Sequence, residues 1–170
     1  FVRAILPKLG FNRNSPRAMI FGSRKYGGFQ FFHLYFEQGF LSIKHVIGHI
    51  RKATLVGNQI MIALSQAQVI CGSGFHYLDE VMENRSYVPA TWLGSVRSFL
   101  AACNGHIIIP QAWLPAIQRI HDKILMDAFC SIKPGDAVLE QVNLVRLYLG
   151  VLTLADITND AGNAIEPWAI

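Results

Sequence analysis

Three sets of residues in this chain have types and spacings from which chemistry could be built. His45 and His49 stand four positions apart, one helical turn, the spacing at which two imidazoles can share a metal ion. No Glu follows His45 directly, and no convincing third ligand accompanies the pair. Asp122, Asp127, Glu140 and Asp156 can be drawn as a two-metal carboxylate cluster, but their positions fit solvated helix faces and strand ends. Ser73, in Cys-Gly-Ser-Gly-Phe, lacks the Gly-x-Ser-x-Gly spacing and the preceding strand of a nucleophile elbow. A glycine-rich phosphate loop closed by Lys-Ser/Thr is missing as well. The sequence therefore supports no catalytic residue, no metal site and no cofactor of its own in this chain.

Charge is more informative. Residues 1–52 carry nine Lys and Arg against Glu37 alone, whereas residues 53–170 carry six cations and ten anions. Arg13, Arg17, Arg24 and Lys25 lie on backbone punctuated by Pro16 and the Gly27-Gly28 pair, immediately before the longest amphipathic segment. Loop N–H groups, helix-start N–H groups and guanidinium forks all favour phosphate. These four are the first candidates for a nucleic-acid contact, with Lys44, Arg51 and Lys52 second. A membrane surface or an acidic protein would attract the same charge, and an Arg-rich connector can be merely solvated.

The elements that must position these residues follow from hydrophobic periodicity. Phe1 to Leu9 reads as an apolar, basic segment stopped by Pro7 and Gly10, and Ala18 to Phe21 as a short strand within a connector. From about His33 to Arg51, Phe36, Phe40, Ile43, Ile47 and Ile50 recur at steps of four and three, which predicts a helix burying that face. Gly39 and Gly48 inside it suggest a kink or a close helix contact. Thr54 caps a second helix ending at Cys71 and Gly72. Residues 73–90 read as a loop with an acidic patch at Asp79, Glu80 and Glu83. Thr91 caps a third helix, with Trp92, Val96, Phe99, Leu100 and Cys103 on one face.

His106 to Ile109 then reads as a strand and Pro110 to Pro115 as irregular chain. A fourth helix is expected over about Ile117–Phe129, with Ile120, Ile124, Leu125 and Ala128 inward. A fifth spans about residues 135–149 and buries Val138, Val142, Val145 and Leu149. Val151 to Thr158 and Ala164-Ile165 flank Asn159-Asp160-Ala161-Gly162 as a C-terminal β-hairpin. The expected fold is mostly α with minor β: about five helices in a bundle, one short strand and one hairpin.

With 52% hydrophobic residues and a mean hydropathy of +0.31, the composition is apolar for a soluble domain. Together with an opening Phe1 and a closing Trp168-Ala169-Ile170, it suggests a fragment of a larger protein. Cys71, Cys103 and Cys130 are too far apart for a metal knuckle, and each is expected buried and reduced, which points to cytoplasm or nucleus. Ala53 to Leu78 contains no Asp, Glu, Lys or Arg. Its residues Asn58, Gln59, Ser65 and Gln66 form a polar stripe that argues for a packed helix and against a membrane partner. Phe29, Phe31 and Phe32 read as core.

The order Leu6-Pro7-Lys8-Leu9-Gly10-Phe11-Asn12-Arg13-Asn14, Pro16-Arg17-Ala18, Tyr26-Gly27-Gly28, His33-Leu34-Tyr35, Glu37-Gln38-Gly39 resembles the region after the polymerase palm in reverse-transcriptase-like proteins of non-LTR retrotransposons. Asp122-Lys123-Ile124-Leu125-Met126-Asp127, Arg146-Leu147-Tyr148-Leu149-Gly150 and Leu154-Ala155-Asp156-Ile157-Thr158 look similar to the same region. The resemblance implies residues 1–30 as a basic connector from an upstream palm, 31–150 as a helical thumb and connector, and 151–170 as the start of a further β-containing segment. It implies RNA and RNA–DNA hybrid as partners, together with the palm of the same polypeptide. Mg²⁺ is implied for that palm, whose Tyr-x-Asp-Asp turn has no counterpart in this chain. A helical protein-interaction module and an inactive retroelement remnant are the alternatives.

Overall fold

In the computed structural model, residues 2–79 and 85–169 are described. They fall into two compact units, Phe1–Ser42 and Ile43–Ile170. Glu80 and Glu83 of the expected acidic patch lie outside the described residues.

The first unit is built from short turns. Helix α1 (Val2–Ile5) runs into a 3₁₀ turn at Leu6–Leu9, which Gly10 closes at φ 79°. Helix α2 (Arg17–Phe21) occupies the place expected for a strand. Pro16 decides this: its carbonyl accepts from Met19 and Ile20 N–H at 3.0 and 3.1 Å, which nucleates a helical turn. A 3₁₀ turn at Arg24–Tyr26 follows, capped by the Ser23 hydroxyl and closed by left-handed Gly27. The chain then doubles back, with Phe29 N–H donating to the Met19 carbonyl at 2.8 Å and Phe31 N–H to that of Ile20 at 3.0 Å. Phe29 and Phe31 meet Phe11, at ring distances of 4.4 and 5.9 Å. Phe32 is not core as expected; it is 76% exposed.

Helix α3 (Leu34–Arg51) starts in the first unit and ends in the second. Its expected inward face is only partly inward: Phe36 and Phe40 are exposed, and the fully buried residue is Val46. In the second unit Val46 joins α4 (Leu55–Cys71) and α5 (Trp92–Ala102) in one apolar core with Ile60, Leu64, Leu93, Val96 and Leu100. Thr54 and Thr91 cap these helices as read, each hydroxyl accepting an N–H at 3.0 Å. Trp92 and Cys103 are exposed, Leu93 taking the inward seat instead. Of the three cysteines only Cys71 is buried.

The described residues form no sheet, only isolated bridges. Ile107 N–H makes a single bond to the Leu78 carbonyl at 2.9 Å, so the β-branched run gains burial at Ile109 without a ladder. The hairpin is reduced to one bridge between Thr158 and Ile165, because Thr153 and Asp156 form a capping box that winds Leu154–Ile157 into a 3₁₀ turn. The fourth helix is much shorter than expected: α6 spans Leu125–Ile132. Asp122 turns its carboxylate back onto the N–H groups of Gln118 and Lys123, which holds that stretch as a turn, and Ile120 is 85% exposed.

Helix α7 (Asp136–Leu149) has nearly the expected length but is rotated. It buries Leu139, Asn143 and Arg146, leaving Val138 and Val145 outside. Tyr87, Met126 and Leu139 form a second small core with Phe129 and Val142 packed against it.

Candidate nucleic-acid interface

All seven candidate cations are exposed. In the first unit Arg13 lies in the turn that Asn12 organises, its side chain accepting from Asn14 N–H at 2.8 Å. Arg17 is the first residue of α2, and Arg24 and Lys25 sit on the 3₁₀ turn. None of the four makes an ion pair among the described residues. The Lys25 ammonium lies 5.7 Å from the centroid of the Tyr26 ring. In the second unit Lys44 lies in the middle of α3, Arg51 is its last residue and Lys52 follows it directly. Arg51 and Lys52 have a structural reason to be there, since a helix C-terminus favours cations.

Gly28 lies against backbone of its own loop. A Cβ on Gly28 would stand 2.1 Å from the Gly22 carbonyl oxygen, so two backbone segments of the same loop abut there. This contact fixes the shape of the turn that carries Arg24, Lys25 and Tyr26.

Most of the residues weighed for catalysis have structural partners, and Glu140 is exposed on α7. The His45 and His49 rings are 4.4 Å apart, but His49 Nδ1 pairs with the Thr54 hydroxyl at 2.9 Å. Among the described residues no group of three His, Cys, Asp or Glu could hold a metal ion. Ser73 is buried, and its hydroxyl accepts from Phe75 N–H at 3.2 Å. Asp122 accepts from the N–H groups of Gln118, Lys123 and Ala155, and Asp156 from those of Leu152 and Thr153, all at 2.8–3.1 Å. Burial alone would raise both carboxyls, but these backbone donors, with the Thr153 hydroxyl, hold them below the usual carboxylate range. Oxygens already saturated by N–H donors do not fit a pair of Mg²⁺ ions, and no step through such a metal is assigned to this chain.

Sequence reasoning missed a polar cluster at the C-terminus of α4. Arg146 donates to the carbonyls of Val69 and Ile70 at 2.6 and 2.8 Å and is steadied by Asn143. Tyr87 donates to the Cys71 carbonyl at 2.9 Å, and Arg85 binds Tyr87 and forms a 2.6 Å ion pair with Asp127. Two guanidinium groups and a phenol thus satisfy the carbonyls that the helix leaves open. Burial lowers Arg146. Arg85 is held charged against its burial by Cys71, Asp127 and Tyr87, and burial raises the Tyr87 phenol. The one signal in the sequence was a cation isolated in the apolar run Leu144-Val145-Arg146-Leu147.

No family model, no curated protein and no solved structure matches this chain.

Proposed function

We propose that this chain is a non-catalytic segment of a retrotransposon reverse transcriptase, gripping the template-primer through its sugar-phosphate backbone. The palm that carries the polymerase aspartates and their Mg²⁺ belongs, on this proposal, to another part of the polypeptide. One observation carries it: Arg13, Arg17, Arg24 and Lys25 are exposed, and among the described residues they have no ion-pair partner, in a unit whose first acidic residue is Glu37. Such contacts position a duplex without reading its bases. The motif order given above supports the polymerase assignment, and with it an intracellular setting in cytoplasm or nucleus.

Fluorescence anisotropy of the full chain with a labelled RNA–DNA hybrid tests this. Binding in low salt is expected to weaken steeply as salt rises, and the triple change Arg13→Glu, Arg17→Glu, Arg24→Glu to weaken it by about tenfold or more. Absence of binding in low salt, or an unchanged affinity in the triple variant, overturns the proposal. A protein-interaction module is the second reading, favoured by the exposed Leu144, Val145 and Tyr148 of α7. A defined protein complex whose interface covers the basic residues would establish it instead.

A further inference from the structure

Two aromatic side chains in the first unit stand in water. Tyr26 is 82% exposed and Phe32 76%. Neither is left out by chance of packing. Tyr26 lies on the 3₁₀ turn whose ends are set by the Ser23 cap and left-handed Gly27, and whose base is locked by the Gly22 and Gly28 backbones. Phe32 follows an irregular run, with Gln30 left-handed at φ 54°, in which Phe29 and Phe31 take the seats against Phe11 and the Phe32 ring stays outside. Both rings share a stretch, residues 1–36, that has six cations and no Asp or Glu.

We infer that the first unit binds unpaired nucleotides, stacking bases on Tyr26 and Phe32 while Arg13, Arg17, Arg24 and Lys25 hold the phosphates. This rests on the proposed function for the class of partner and goes beyond it in assigning a single strand. Exposed rings and exposed cations within one stretch of chain are the two components of sequence-tolerant single-strand binding: every base has a face to stack, and every nucleotide a phosphate to neutralise. The Lys25 ammonium lies over one face of the Tyr26 ring, 5.7 Å from its centroid, so a base stacks on the opposite face with the cation close by. A lipid surface is the poorer match. Interfacial binding uses one continuous apolar helix face, whereas these rings sit on a 3₁₀ turn and an irregular segment.

The test compares three labelled probes on the full chain: an oligothymidine, a blunt RNA–DNA hybrid, and the same hybrid carrying a single-stranded RNA overhang. The overhang is expected to tighten binding. The double change Tyr26→Ala, Phe32→Ala is expected to abolish that gain and weaken oligothymidine binding by about tenfold, with the blunt hybrid unchanged. Tyr26→Phe with Phe32→Trp should retain both, as stacking requires. Binding of all three probes by the double alanine variant as tightly as by the wild type overturns the inference and leaves the duplex-gripping proposal standing. Oligothymidine binding that needs both rings, without binding of the blunt hybrid, supports the inference and defeats the duplex proposal. Ring-dependent binding to phosphatidylserine vesicles with no oligothymidine binding overturns it in favour of a lipid surface.

Discussion

At the scale of single residues, Asp122 and Asp156 carry a larger share of this fold than their spacing from other carboxylates suggested. Each ties an N–H-rich turn to itself, and Asp122 reaches across to Ala155, so the two turns on either side of α6 and α7 are joined through one carboxylate. Because the folded state holds both carboxyls below their unfolded values, their contribution is fully present above about pH 4 and is lost as pH falls through the lower folded values. Thermal melting is therefore expected to be flat around neutrality and to decline on acidification below about pH 4. Asp122→Asn, which replaces one accepting oxygen by a donor facing N–H groups, should cost about 1–3 kcal/mol near neutral pH. Its deficit should shrink in acid, where the wild-type carboxylate is itself protonated. Melting curves of both proteins across that range decide it, and a deficit independent of pH would count against the role.

At the scale of elements, glycine placement on α3 and α4 separates what sequence shows from what packing imposes. Gly48 in α3 was expected to mark a kink or a close contact, yet a Cβ there meets nothing within 4 Å. Gly57, at the start of α4, is the position where the chain comes close: its Cβ would lie 2.3 Å from the His49 carbonyl oxygen. Gly48→Ala is accordingly expected to stabilise the protein by about 0.5–1 kcal/mol, through helix propensity alone. Gly57→Ala should destabilise it by about 1–3 kcal/mol or more, since backbone cannot yield as a side-chain tip does. Chemical denaturation of the two variants checks the opposite signs.

The contrast marks how far local signals reach. Thr54, Thr91, Gly72 and the extent of α7 were legible because caps and periodicity are local. The buried face of α7 was not: apolar count favoured Val138, Val142, Val145 and Leu149. What faces inward is Leu139, Asn143 and Arg146, chosen by the open carbonyls of a helix some 70 residues earlier. The strand and hairpin failed for a related reason, since β propensity needs a partner strand that no local pattern reports. Of the candidate interface, the cations were legible as charge, while the exposure of Phe32 depended on which phenylalanines reached Phe11.

At the scale of the whole molecule, two surface properties oppose each other. The net charge of +4 favours solubility, while α7 alone exposes Leu144 at 61%, Val145 at 57% and Tyr148 at 90%. No single helix among the described residues is long and apolar enough to cross a membrane, and α3 and α4, which together have the composition, meet at a 108° bend. The apolar residues of α7 are exposed, and their effect is on association between molecules. Raising salt screens the charge, and sulfate in particular strengthens apolar contact, so self-association should increase in sulfate. Val145→Glu with Tyr148→Glu should suppress it without lowering the melting temperature, because both side chains are mostly in water already. Light scattering in rising sulfate, paired with thermal melts, measures both. A fall in melting temperature would mean that these residues help hold α7 in place, and unchanged association would move the sticky surface elsewhere on the chain.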